Sequence, residues 1–345
     1  MRRLAPSGPV TLAHGGGGTA MRDLVDSVFV ETFDNPELRR LDDQARLDIA
    51  GLAAAGGRLA FSTDGFVVRP LFFPGGDIGK LAVCGTVNDL AVGGARPLYL
   101  SCAVIIEEGF DIATLRRIAA SMREAAAEAG VTIVTGDTKV VERGAADQLF
   151  ITSAGVGLVP PGRALSASAA RPGDVVLVNG PLGEHGAAIL AARGELAIDA
   201  PIASDCRPLH GLMETLLAAA PGTRCARDAT RGGAAAVLNE IAETSGVAIR
   251  IDEPALPLRP ALRGFCELLG FDPLYLANEG TLLAFVPPGE AVAALAAMQS
   301  HPYGREARAI GEVIAGRAGM VTLRTSFGGE RLIDMLVGDQ LPRIC

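Results

Sequence analysis

A chain of 345 residues, 49% of them hydrophobic, is long enough for about two globular domains and too apolar for a disordered segment. Its formal charge of −8, with the 31 Lys and Arg scattered, gives no broad attraction to nucleic acid or to an anionic membrane. No run reaches the ~18 apolar residues of a membrane span, and the segment Met1 to Thr19 lacks a signal pattern.

The six cysteines, Cys84, Cys102, Cys206, Cys225, Cys266 and Cys345, form no CxxC pair, which points to reduced thiols in the cytoplasm. With no Trp and three Tyr, the core rests on Ala, Val, Leu and Ile.

Strands and helices alternate over the first part of the chain, which predicts a mixed α/β fold. Arg58–Arg69 reads as a strand and turn, broken at Thr63-Asp64-Gly65. Gly79–Val92 suits a helix and Leu98–Ile106 a strand. Asp111 stands as an N-cap before Ile112, Leu115, Ala119 and Met122, which recur at helical spacing. Val131–Thr135 and Leu149–Val159 are further strands, and Pro160-Pro161-Gly162 marks a boundary.

Beyond it, Asp174–Asn179, Val247–Ile251, Thr281–Val286, Ala307–Ile314 and Met320–Thr325 read as strands. Gly183–Arg193, Leu209–Ala219, Gly232–Thr244 and Glu290–Met298 read as helices. The organisation expected is two mixed α/β domains, 1–161 and 162–325, and a mobile tail, 326–345, ending in Cys345.

Four acidic positions fall in turn-like contexts: Asp64 in Thr63-Asp64-Gly65, Asp89 in Val87-Asn88-Asp89-Leu90, Asp137 in Gly136-Asp137-Thr138-Lys139, and Asp228 in Arg227–Gly233. Magnesium takes oxygen ligands and bridges carboxylates to phosphates. Singly, each Asp is a cap or turn residue; together they make a metal site only if the fold brings them into one place. Gly15–Gly18 after His14 is an anion cradle or a loose loop. Gly75-Gly76-Asp77-Ile78-Gly79-Lys80-Leu81 fails as a phosphate-binding P-loop, because its spacing is short and Leu81 replaces Ser or Thr.

In this order, these segments, with Asn278-Glu279-Gly280 and the terminal Pro342-Arg343-Ile344-Cys345, resemble the HypE family of hydrogenase maturation factors. That family lies in the ATP-binding superfamily of aminoimidazole ribonucleotide synthetase and selenophosphate synthetase. The resemblance spans nearly the whole chain. It implies a cytoplasmic homodimer that uses ATP and Mg2+ to dehydrate a carbamoyl group on Cys345 to a thiocyanate. It further implies a carbamoyltransferase partner, HypF, that loads the thiol, and a HypC–HypD assembly that receives cyanide for the iron of [NiFe]-hydrogenase.

On the matching positions, Asp64, Asp89, Asp137 and Asp228 are the expected magnesium ligands, and the same four with Lys80, Asn88 and Thr138 the ATP-binding residues. Lys139, two residues after Asp137 and so on the same face of a strand, is expected to stabilise the transferring phosphate. Glu279 is the expected general base and Cys345 the carrier thiol. Two other readings stay open: a superfamily synthetase acting on a free substrate, and an ATP-sensing scaffold.

Overall fold

A computed structural model describes residues 7–40, 44–48, 50–54, 56–194 and 201–336. In the N-terminal part, β1 (Arg58–Phe66), α1 (Ile78–Val92), β2 (Arg96–Glu107), α2 (Ile112–Ala129), β3 (Thr132–Val141) and β4 (Leu149–Val159) follow one another. The strands form one sheet in the order β1-β4-β2-β3, antiparallel except for the β2–β3 pair.

The α2 helix starts where its sequence predicts. Asp111 Oδ2 accepts from the Thr114 amide at 2.8 Å, Ile112, Leu115, Ala119 and Met122 are all buried, and Gly130 closes the helix with φ +65°. Asp77 caps α1, accepting from the Gly79 and Lys80 amides. Thirteen of the fifteen residues of α1 are buried. A helix apolar all round must be covered on all sides, and this one lies between the first sheet and the second domain.

The second domain contributes β5 (Val175–Val178), α3 (Glu184–Ala192), α4 (His210–Ala219), β6 (Cys225–Asp228), α5 (Gly233–Ser245), β7 (Ala248–Asp252), α6 (Pro260–Leu269), β8 (Leu282–Val286), α7 (Ala291–Ser300), β9 (Arg308–Ile314), β10 (Val321–Arg324) and β11 (Glu330–Leu332). They form a seven-stranded sheet, β11-β10-β7-β9-β5-β8-β6. The centre of β8, Leu282–Val286, is fully buried, in keeping with its unbroken apolar run.

The structure departs from the sequence-based expectations at several points. Thr63-Asp64-Gly65 is no break: β1 runs through it, with Asp64 opposite Ser153, because β4 supplies a partner at every position. Gly136–Lys139 likewise lies inside β3, where Gly136 packs so close to β2 that a Cβ would sit 2.2 Å from the Cys102 carbonyl oxygen. The α6 helix and the helical turns across Thr19–Phe33 were not expected. Nor does the chain leave the fold at 326. Residues of β11 pair with β10, Ile333 is 1% exposed, and the Tyr275 hydroxyl donates to the Asp334 carbonyl at 2.9 Å.

Candidate active site

The end of α1 faces the edge strand β6 of the second sheet, and that contact assembles a group of acids. Asp64 comes from β1, Asp89 from the last turn of α1, Asp228 from the end of β6, and Glu279 from the turn that leads into β8. All four line one narrow cavity of about 40 Å3, together with Gly85, Thr230 and Arg231. The Ser62 hydroxyl donates to Asp89 Oδ2 at 2.6 Å.

Burial first, and neighbouring negative charge second, raises the proton affinity of Asp64, Asp228 and Glu279. Burial, then the charge of Asp89, pushes Asp64 up to about 6, while Arg231 pulls the other way. Asp228, 9% exposed, is pushed up to about 7 by burial and then by Asp89. Glu279, 3% exposed, is held well above the ordinary carboxylate range, by burial first and then by Cys206, Asp228, Asp205 and Asp64. Among the described residues nothing hydrogen-bonds the Glu279 carboxyl, although its backbone is bonded on both sides.

The donor chemistry fits a hard cation. Among the described residues no three His, Cys, Asp or Glu side chains form a complete protein-only metal site. Magnesium asks for less: one or two carboxylates, with water and phosphate oxygens completing the shell. Asp64 and Asp89, neighbours in the cavity, offer such a pair, with Asp228 close enough to feel the charge of both.

Three expected site residues stand elsewhere. Asp137, two residues before Lys139 on β3, forms an ion pair with it at 2.8 Å, and the Lys139 hydrogen bond lowers the Asp137 proton affinity. The shared strand face is as the spacing implied. Asp137 and Thr138, however, line a separate cavity of about 390 Å3, walled by Met21, Val25, Phe29 and Phe33.

Strand parity separates Asp137 and Lys139 from Asp64, while Thr138, of the other parity, is kept apart by its place on the far edge strand of the sheet. Across the sheet, Asp137 pairs with Ala103, Ala103 with Thr152, and Thr152 with Gly65. Asp64 sits one residue out of that row and points to the opposite face. The face carrying Asp137 and Lys139 also exposes Leu59, Phe61 and Ile105, two of them by 67% and 70%.

Two further expectations need correction. Lys80 lines neither cavity; its ammonium donates to the Gly75 carbonyl at 3.1 Å. Asn88, 1% exposed, has no amide free for a nucleotide: Nδ2 donates to the Arg207 and Glu279 carbonyls, and Oδ1 accepts from the Leu209 amide at 2.7 Å. It clasps the two domains together. Around His14, Leu12–Gly15 is a short helical turn packed on Val140. Cys345, Arg343 and Pro342 lie outside the described residues.

Two residues of the site carry no sequence signal of their own: Arg231, inside the Arg227–Gly233 segment, and Asp205. Asp205 carries no motif; its importance comes from contacts with residues more than seventy positions away.

Comparison with known proteins bears on this arrangement. Models of the AIR synthase related protein N-terminal and C-terminal domains match residues 41–159 and 171–324. The carbamoyl dehydratase HypE of Rhodobacter capsulatus is 62% identical over 336 residues, covering 97% of this chain and 98% of the relative. The chain belongs to the HypE family of carbamoyl dehydratases.

A crystal structure of the hydrogenase maturation protein HypE in complex with ATP superimposes with a TM-score of 0.92, at 48% identity, over 97% of this chain and 99% of that one. A HypE chain from a HypE–HypF complex superimposes with a TM-score of 0.79, at 48% identity, over 91% and 99%. The two-domain α/β fold that the sequence resemblance implied is therefore the family fold. Among the described residues no helix is long and apolar enough to cross a membrane.

Proposed function

We propose that this chain dehydrates a carbamoyl group carried on its own Cys345, using ATP, and that Glu279 is the base. The observation that carries the reading is the convergence of Asp64, Asp89, Asp228 and Glu279 on one cavity, with Glu279 buried there.

A thiocarbamate, S–C(=O)–NH2, keeps its oxygen because hydroxide leaves poorly. Transfer of the γ-phosphoryl group of ATP to that oxygen releases ADP and makes the oxygen a phosphate leaving group. Departure of phosphate and loss of both nitrogen protons then give S–C≡N. The net products are thiocyanate, ADP, phosphate and a proton.

Glu279 takes a nitrogen proton. A buried carboxylate raised above its ordinary range is a stronger base than one in water. Magnesium held by Asp64 and Asp89, with Asp228 beside them, would neutralise phosphate charge. Arg231, the cation lining the cavity, holds a phosphate oxygen. Substrate and phosphate filling the cavity would displace water, which would intercept the activated group.

Lys139 and Asp137 reach a reaction centre from a partner subunit on this reading. They lie on the sheet face that exposes Leu59 and Phe61, and a homodimer through that face buries the apolar side chains. The larger cavity beside Asp137 and Thr138 is of a size for a nucleoside. The HypE–HypF complex supports a transferase of that kind as the source of the carbamoyl group. Passage of the cyanide to iron on a HypC–HypD assembly completes the proposed role in the cytoplasm.

Intact mass tests the chemistry. The chain carbamoylated by the transferase should lose water on addition of magnesium and ATP. Glu279→Gln should bind ATP normally and keep the carbamoyl mass; near-normal water loss removes Glu279 as the base. ATP binding without any mass change supports a scaffold instead.

A further inference from the structure

A single buried carboxylate takes three hydrogen bonds from the turn that bears Glu279. Asp205, 2% exposed, accepts from the Glu279 amide at 2.9 Å through Oδ1. Its Oδ2 accepts from the Gly280 amide at 3.0 Å and from the Thr281 hydroxyl at 2.8 Å. Three donors from three successive residues, beginning at Glu279, thus meet at one side chain. On the other side of the turn, the Glu279 carbonyl accepts from Asn88 Nδ2 at 3.2 Å.

The segment carrying Asp205 is itself pinned. The Ser204 amide donates to the Pro74 carbonyl at 2.8 Å, and the Asn88 side chain bonds both Arg207 and Leu209. The fit is close on both flanks. A Cβ on Gly75 would lie 2.4 Å from the Ser204 carbonyl oxygen, and a Cβ on Gly280 1.9 Å from that of Asp205. Both glycines therefore let backbone pass where a side chain would not.

Among the described residues no cation pairs with the Asp205 carboxylate: the Arg207 guanidinium donates at 2.7 Å to the Asp205 backbone oxygen. A buried carboxylate satisfied only by hydrogen bonds is costly unless every bond is made. All three bonds go to the turn that aims Glu279.

We propose that Asp205 is a positioning residue for the dehydration: its carboxylate fixes the backbone at Glu279–Thr281 and so directs the base into the cavity. The proposal rests on the reading of Glu279 as the base. Asp205 touches no reacting atom. Its loss lets the turn shift, and a misplacement of ~1 Å costs on the order of 100-fold in rate.

The test uses the full-length chain, carbamoylated by the transferase, in single-turnover water loss followed by intact mass at varied ATP. Asp205→Asn should slow the step at saturating ATP by ~10- to 100-fold and leave half-saturating ATP within about twofold. A rate within about twofold of the parent, or a loss of ATP affinity equal to the loss of rate, overturns the proposal.

The double variant separates the two readings. If Asp205 acts through Glu279, Asp205→Asn adds nothing on a Glu279→Gln background. An additive loss refutes the positioning role, whereas normal turnover by Glu279→Gln alone refutes the base. Should Asp205→Asn not accumulate as folded protein, Thr281→Val removes one of the three bonds and keeps the carboxylate. It should slow the step by roughly threefold or more at unchanged ATP affinity, and an unchanged rate overturns the proposal.

Discussion

Replacing Asp228 with Asn should stabilise the protein in alkaline buffer while abolishing its activity. Asp228 is 9% exposed, and its carboxyl is raised from 3.8 to about 7, by burial first and then by Asp89. An acid that binds its proton more tightly when folded destabilises the fold as it ionises. Near pH 4 and below, both states are protonated and the penalty is absent. It grows as pH rises and is complete above about 7.

A shift of about three units, at about 1.4 kcal/mol each, sets a ceiling of about 4 kcal/mol. Asn must still satisfy its amide in the same place, so we take about half of that, or about 2 kcal/mol. For a domain of this size the gain is a rise of on the order of 4–8 °C in melting midpoint. The assay is thermal unfolding of parent and variant, without nucleotide and with a chelator, at pH 5 and pH 8. The gain at pH 8 should be at least about twice that at pH 5, and magnesium should narrow the gap at pH 8. An equal gain at both pH values, or none at pH 8, refutes the argument that burying the Asp228 charge costs the fold stability.

Gly280→Ala forces a Cβ to within 1.9 Å of the Asp205 carbonyl oxygen, so it should cost about 1–3 kcal/mol and slow dehydration; a variant as stable and active as the parent contradicts the packing. Cys345→Ala should keep the fold and ATP binding yet form no product, and thiocyanate mass on that variant rules out the carrier role. Phe61→Asp places a charge on an apolar patch where Phe61 is 70% exposed; it should yield monomers with little turnover, measured by light scattering and mass. A fully active monomer removes the shared-site reading.

The helices with clear caps were legible from sequence. Asp111 before a 3.6-residue apolar rhythm places the start of α2. The acidic positions were legible as types but not as a group. Asp64 and Asp137 look alike in the sequence, each beside a glycine and a threonine, yet the sheet turns them to opposite faces. Register decides that, and register is set by pairing between strands distant in sequence.

Asn88 read as a ligand because it stands next to Asp89. One step along a helix is about 100° of rotation, enough to bury one side chain in the domain contact and leave the other in the cavity. Asp205 was invisible because nothing local distinguishes it. Its three bonds reach residues 279, 280 and 281, and only the folded chain brings them within reach.

The docking of β11 and Ile333 shortens the leash on Cys345. Among the described residues the last such anchor is the Asp334 carbonyl, bonded to Tyr275, and Tyr275 is four residues from Glu279. Four residues of chain span at most about 14 Å, and the Tyr275 side chain with its hydrogen bond adds roughly 9 Å, so that peg sits within about 23 Å of the turn bearing Glu279; the eleven residues from 335 to 345 extend no farther than about 40 Å, where a chain released at 326 would sweep about 65 Å. The volume to be searched shrinks by roughly fourfold, so the local concentration of thiocarbamate rises by the same factor. A loading enzyme must then approach the neighbourhood of Tyr275, since the thiol cannot travel far to meet it.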